Sequence, residues 1–333
     1  MHPRRSTLST DEYFKGVRAS QTAVLARALT LVESSNPQHQ LQAEDLLTRL
    51  MPFTGGAIRV GITGTPGAGK STFIEALGLQ LVRSGHKVAV LAIDPSSGIT
   101  GGSILGDKTR MPNLAAEPQA YIRPTASAGT LGGAARRTRE SMLVCEAAGY
   151  DIILIETVGV GQSESYVSYM TDCLVALVSP AAGDELQGIK RGLLEFVDFL
   201  VVNKADGELR NACEVAAQQY RNALETISGS KAMHESKVFT ASAMNNEGVD
   251  AVWQSVLKRY SSMKINGTLI TRRQTQNRHW LWAIVEERLR QSLYAHPAVA
   301  AVRYDLEQQV LVGTISVETA ARRILDAYGL SAG

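Results

Sequence analysis

The chain has 333 residues, of which 44% are hydrophobic and 20% charged. That is ordinary globular composition, which excludes bulk disorder and allows one large domain with appendages or two domains. Lys and Arg number 34 against 32 Asp and Glu, a formal charge of +2. The chain therefore lacks the one-sided positive excess of a nucleic-acid binder, and no nucleic-acid partner is expected.

The first 55 residues read as a helical extension. Val24, Leu25, Ala28, Leu29 and Val32 recur at helical spacing, and Leu41, Leu46, Leu47 and Leu50 resume it after the break at Asn36-Pro37. The opening MHPRRSTLSTDEYF has no apolar run of a secretory signal, and no 18 apolar residues follow one another anywhere. A cytoplasmic chain without a membrane span is the expectation. Cys145, Cys173 and Cys213 form no CxxC pair and read as buried, reduced thiols. The histidines are scattered, with no His/Cys cluster at metal-ligand spacing.

After Gly55-Gly56 the pattern changes to short apolar strands separated by amphipathic stretches. The strands are IRVGIT (58–63), KVAVLAI (87–93), DIILIE (151–156), CLVALV (173–178), DFLVVN (198–203) and KVFTAS (237–242). Helices are predicted to begin near Lys70, Leu131, Lys190, Asn211 and Val249. Continuous apolar strands alternating with helices predict an α/β fold, a mostly parallel central sheet covered by helices on both faces. Ser261 to Asn266 reads as a linker. Beyond it, Leu281, Ile284, Val285, Arg288, Leu289 and Leu293 form a helical stripe beside Trp280 and Trp282, a face for the main domain or for a second copy. The predicted layout is a helical extension over 1–55, a nucleotide domain over 56–262 and a C-terminal helical segment over 263–333.

The segment GTPGAGKS (64–71) matches G-x-x-x-x-G-K-[ST] and lies between a strand and the helix that begins STFIEALGLQLV. The loop Gly64, Thr65, Pro66, Gly67, Ala68 and Gly69 can aim successive backbone N–H groups at phosphate oxygens, and the helix start at Lys70, Ser71 and Thr72 adds its partial positive charge. Lys70 is predicted to neutralise the β- and γ-phosphates, and Ser71 to ligate Mg²⁺. These features predict a P-loop NTPase.

The tetrapeptide Asn203-Lys204-Ala205-Asp206 follows a strand and so lies at the carboxyl end of the sheet. Asp206 can accept hydrogen bonds from N1–H and the 2-amino group of guanine. Adenine offers neither donor, so GTP and GDP are the predicted nucleotides. Lys204 can lie along the base, Asn203 can brace the loop, and Ser242-Ala243 after the next strand suits support of the base carbonyl. Two further strand ends carry acids, Asp94 and Glu156, and both are metal candidates together with Asp107 in the Gly-rich loop. Gly159 is placed to donate its N–H to the γ-phosphate. Lys108 and Arg110 are possible phosphate partners or merely exposed loop charges. Val160 stands where small signalling GTPases have the glutamine that orients water, with Gln162 two residues on, so slow intrinsic hydrolysis is expected.

With these motifs assembled, the chain resembles the methylmalonyl-CoA mutase-associated GTPases of the MeaB/ArgK type. The blocks that carry the resemblance include TLVES (30–34), GITGTPGAGKST (61–72), TGGSILGDKTRM (100–111), CEAAGYD (145–151), ETVGVGQSE (156–164), GDELQGIKRG (183–192) and NKAD (203–206). It runs from about residue 20 through the nucleotide domain and more loosely through the C-terminal helices. The resemblance implies a GTPase chaperone of an adenosylcobalamin-dependent acyl-CoA mutase, a homodimer through its C-terminal helices, and a third switch loop in which Asp184, Gln187 and Lys190 match the polar positions. Two other functions are carried beside it: a nickel-insertion metallochaperone GTPase, and a nucleotide-switch protein or kinase linked to amino-acid transport.

Overall fold

The computed structural model describes residues 8–94, 110–126, 131–157, 163–180, 196–228 and 237–330. The chain forms two compact units, residues 1–276 and 277–333. The first is built on seven strands: β1 (Ile58–Gly64), β2 (Val88–Asp94), β3 (Ala120–Ala126), β4 (Ile152–Thr157), β5 (Cys173–Val178), β6 (Phe199–Asn203) and β7 (Val238–Ala241). They lie in the order β3-β2-β4-β1-β5-β6-β7, and every pairing between them is parallel. Parallel neighbours need a crossover between them, which is why helices alternate with strands and cover both faces. The chain has the α/β P-loop NTPase fold.

The central strands are buried along nearly their whole length because both faces are covered. All six residues of β4 and all six of β5 are buried. Helix α4 (Lys70–Arg83) buries Phe73, Ile74, Leu77 and Leu81 in the same cluster as Val60, Ile62, Leu154 and Val175 of the sheet. The six runs expected from the sequence form strands within a residue or two of their predicted bounds. The seventh, β3, is additional. It sits at the sheet edge, paired only with β2, and there Pro124 is tolerated because an edge position can do without its missing N–H.

Three helices precede the sheet: α1 (Thr10–Arg18), α2 (Thr22–Val32) and α3 (Pro37–Leu50). A capping box closes the start of α1, with Glu12 N donating to Ser9 Oγ at 3.3 Å and Ser9 N to Glu12 Oε2 at 2.7 Å. Asn36 caps α3 and Pro37 occupies its first turn, so the Asn36-Pro37 break is a helix start. Leu46 and Leu50 are fully buried, but Leu41 is 71% exposed and does not belong to the predicted stripe. Five residues place it about 140° around the helix from Leu46.

The helical bundle is fastened to the sheet by charged groups. Arg123 of β3 pairs with Glu33 at 2.5 Å, and Arg18 donates to the Ala147 carbonyl at 2.6 Å. At the amino end of the sheet Arg59 forms a buried pair with Glu146 of α6 (Leu131–Ala147), donating at 2.6 and 3.1 Å, while Glu146 also accepts the Gly55 N–H. Each charge there has a partner with hydrogen bonds besides, which offsets desolvation.

Helix α5 (Pro112–Ala115) follows β2, α7 (Ser163–Ser168) follows β4, α8 (Arg210–Ser228) joins β6 to β7, and α9 (Val249–Ile265) follows β7. The expected linker at Ser261–Asn266 is therefore helix as far as Ile265, and the chain turns only at Asn266-Gly267. Helix α10 (Thr268–Ala295) then opens on the first unit, where Arg273 donates to both oxygens of buried Asp172 and Gln276 to the carbonyls of Ser168 and Thr171. In the second unit α11 (Pro297–Leu311) and α12 (Val317–Tyr328) pack together, and Tyr328 Oη donates to Ser292 Oγ at 2.8 Å. Of the predicted C-terminal stripe, Leu281 and Leu289 are more than half exposed, whereas neighbouring Trp280 is buried.

The three cysteines are free and buried. Burial raises all three thiols, Cys173 to about 12 and Cys213 to about 11, so they stay protonated at neutral pH.

Candidate functional site

The site grows from the carboxyl end of β1. Gly64 has φ 137°, and a Cβ there would meet the Leu177 carbonyl oxygen of β5 at 1.9 Å, so only glycine lets the chain leave the sheet at this point. Gly69 has φ 84° and precedes the first residue of α4. A Cβ on Gly69 would lie 2.7 Å from Asn203 Nδ2, which links this glycine to the base loop.

Lys70 is buried at 8% exposure, and its ammonium donates to the carbonyls of Gly64 and Thr65 at 2.9 and 3.0 Å. These bonds hold a cation across the mouth of the loop, directly beside the first turn of α4. Ser71 Oγ donates to Glu156 Oε1 at 2.8 Å, bringing the helix start and the end of β4 together. Beside Glu156, Thr157 donates its hydroxyl to Thr63 Oγ1 at 2.8 Å, pinning β4 to β1 within the buried sheet.

Pro66, Gly67, Gly69, Lys70, Ser71 and Thr72 form one wall of a cleft of about 620 Å³, closed by Glu156, Thr157, Arg110 and Lys204. That size suits a small-molecule ligand. The wall joins a helix N-terminus, a buried ammonium and backbone N–H groups, which together favour an anion. The hydroxyl of Ser71 and the carboxylate of Glu156 are hard oxygen donors 2.8 Å apart. That donor pair fits Mg²⁺, which takes one or two protein oxygens and completes its shell with phosphate and water.

The second half of the site is the loop after β6, braced from three sides. Asn203 is 2% exposed; its Nδ2 donates to the Ala68 carbonyl at 2.8 Å and its Oδ1 accepts the Ala243 N–H at 3.1 Å. One side chain thus ties the phosphate loop to the loop after β7. Lys204 takes φ 67°, and Ala205 N donates to the Ala241 carbonyl at 3.0 Å. Ser242 Oγ donates to Asp206 Oδ2 at 2.5 Å and accepts the Asn245 N–H, so the Asp206 carboxylate is oriented before any ligand arrives.

Of the predicted site residues, the structure brings Pro66, Gly67, Gly69, Lys70, Ser71, Thr72, Glu156 and Lys204 around one cleft. Asn203 ties Ala68 of the same loop to Ala243, and Ser242 bonds Asp206. Asp94 ends β2 next to β4, but its side chain lies outside the described residues, as do Asp107, Lys108, Gly159, Val160, Gln162, Asp184, Gln187 and Lys190. One lining residue gained no role from the sequence: Thr157 looks like any β-branched strand residue. Arg110, which the sequence offered as a phosphate partner or an exposed loop charge, lines the cleft. No group of three or more His, Cys, Asp or Glu side chains that could hold a metal ion occurs among the described residues. No helix among them is long and apolar enough to cross a membrane.

Comparison with known proteins adds the family. The family described as methylmalonyl-CoA mutase-associated GTPase MeaB matches residues 25–298. A Caulobacter vibrioides protein described as a GTPase is 53% identical over 94% of this chain and 95% of its own length. The mouse mitochondrial methylmalonic aciduria type A homolog is 42% identical over 96% of this chain and 79% of its own. A crystal structure described as LAO/AO transport system kinase is similar with a TM-score of 0.76 at 38% identity, covering 96% of this chain and 99% of that one.

Proposed function

This chain belongs to the methylmalonyl-CoA mutase-associated GTPase family, and from that premise we propose that it serves an adenosylcobalamin-dependent acyl-CoA mutase as a nucleotide-gated chaperone, controlling cofactor delivery and protecting the enzyme. The observation that carries the nucleotide half of the reading is the double anchorage of Asn203, which ties the loop before α4 to the loop after β7; the mutase half rests on the family match. Guanine-nucleotide binding and GTPase activity go with the family; the mutase role is the further step.

In this reading the backbone N–H groups of Gly64 to Thr72 hold the phosphates and Lys70 leaves its carbonyl partners for the β- and γ-oxygens. Asp206 takes the two guanine donors, with Ser242 holding it in place, while Lys204 and Ala243 flank the base. Ser71 and Glu156 would hold Mg²⁺, with Asp94 and Asp107 as further ligands, and the ion would neutralise charge on the phosphate chain. Gly159 senses the γ-phosphate, and Asp184, Gln187 and Lys190 report the nucleotide state to the mutase. Val160 leaves the attacking water without the usual glutamine, so turnover of the isolated protein is slow. The exposed Leu281, Trp282, Leu289, Leu311 and Val317 of the C-terminal unit support a homodimer through that unit, which would cover large apolar side chains that the chain itself leaves in water. The transport-kinase description belongs to the solved relative. Here the carboxylate of Asp206 favours guanine over the adenine of a kinase's ATP.

The test is binding and turnover with purified methylmalonyl-CoA mutase, in GDP and in a non-hydrolysable GTP analogue. Nucleotide-dependent binding with faster GTP hydrolysis is expected. Loss of both effects would remove the mutase role while leaving the GTPase, and several turnovers per second without mutase would remove the slow-switch reading.

A further inference from the structure

We propose that Arg110 is a catalytic arginine supplied by the chain itself to the phosphate end of the cleft, an inference that rests on the GTPase reading above. Arg110 lines the same cleft as Lys70, Ser71, Thr72 and Glu156. It is exposed, and among the described residues it makes no hydrogen bond or ion pair. The other groups on that wall are already engaged: Lys70 with two carbonyls, and Ser71 with Glu156.

What separates Arg110 from an ordinary surface charge is the rigidity of its footing. The next residue, Met111, is fully buried in the core cluster of the sheet, and so is Leu114. A Cβ on Gly78 of α4 would lie 2.5 Å from Leu114 Cδ2, so α5 packs directly onto the α4 backbone. Asn113 N donates to Glu75 Oε1 at 2.8 Å, one turn along α4 from Ser71. Arg110 is thus mounted on the helix whose first turn carries Lys70, Ser71 and Thr72. Phosphate groups docked against that turn would share the cleft that Arg110 lines.

The chemistry suits the position. A guanidinium presents a planar fork of donors that matches two phosphate oxygens at once, which an ammonium cannot do. Charge on those oxygens redistributes as the γ-phosphoryl group leaves, and a donor held on a rigid base stabilises that change without reorganising. The reaction stays hydrolysis: water adds to the γ-phosphorus, the bond to the β-bridging oxygen breaks, and Arg110 keeps its protons throughout. Charge stabilisation from within the chain, together with valine at sequence position 160 where small signalling GTPases have glutamine, describes an enzyme short of water orientation, not of positive charge.

The experiment is single-turnover GTP hydrolysis by the full chain with Mg²⁺, comparing the wild type with Arg110→Ala and Arg110→Lys. Thermal melts check folding, which an exposed side chain should not disturb. The alanine variant is expected to lose about 10²- to 10³-fold in rate, the lysine variant to recover little, and GDP affinity to change by less than about threefold. Free guanidinium should restore part of the alanine variant's rate, and binding of GDP with aluminium fluoride should be lost. An unchanged rate would overturn the proposal. So would an equal fall in GTP and GDP affinity at constant rate, which would make Arg110 a ground-state clamp. If the wild type bound no GTP at all, the GTPase reading would fail first and the proposal with it.

Discussion

Replacing Asp206 with asparagine is expected to weaken GTP binding by about a hundredfold or more and to turn preference towards xanthine nucleotides. The carboxylate has two acceptor oxygens for the two guanine donors, and hydrogen bonds to a charged group contribute about 1.5–3 kcal/mol each. An amide keeps one acceptor and sets its NH₂ against a donor of the base. Xanthine has a carbonyl where guanine has the amino group, so the same NH₂ regains a partner. Ser242 bonds Asp206 Oδ2 at 2.5 Å and can bond the amide as well, so the loop should survive the change. Competition binding of GTP against XTP measures the effect. Unchanged selectivity would place the base elsewhere.

The second large effect is expected from Lys70→Ala. The ammonium is buried and already poised between Gly64 and Thr65, so nucleotide phosphates meet a preorganised charge. Its removal takes positive charge from the β- and γ-oxygens and leaves two loop carbonyls without their donor. Hydrolysis should fall by about 10²- to 10³-fold or more, by analogy with the loss of one preorganised donor. Nucleotide stabilisation should go too. Ligand at a hundred times its Kd adds about 2.7 kcal/mol to wild-type stability, whereas the variant's melting point should not respond to GTP. Lys70→Arg should not rescue, because the planar fork does not fit the space of an ammonium held by two adjacent carbonyls. A normal nucleotide-induced shift in the alanine variant would contradict this role.

Much of the fold was legible because a parallel sheet buried on both faces must be written in continuous apolar runs. IRVGIT, DIILIE and CLVALV can hardly be anything else between helical segments. Strand β3 was not legible for the complementary reason. AYIRPTA lies at the edge, carries Arg123 to meet Glu33 and Pro124 where no donor is needed, and so lacks the apolar signature. The Leu281–Leu289 stripe shows a related limit. Helical spacing identifies a face, but not whether the chain itself supplies the surface that covers it.

In the site, the segments that must wrap a ligand with backbone were readable, since only glycine can occupy Gly64 against the Leu177 carbonyl. The tie made by Asn203 between Ala68 and Ala243 was not, because it joins residues 135 and 40 positions apart. Nor was the position of Arg110, which depends on the packing of Leu114 against Gly78 and on Glu75 holding Asn113.

A cleft built this way should select guanine and hold its phosphates with Mg²⁺. Calorimetric titration of the nucleotide-free protein with GTP, GDP and ATP, with Mg²⁺ and with excess chelator, tests it most directly. Saturable binding of GTP and GDP is expected, with ATP at least about a hundredfold weaker and GTP affinity falling when Mg²⁺ is chelated. Equal affinity for ATP and GTP would contradict it.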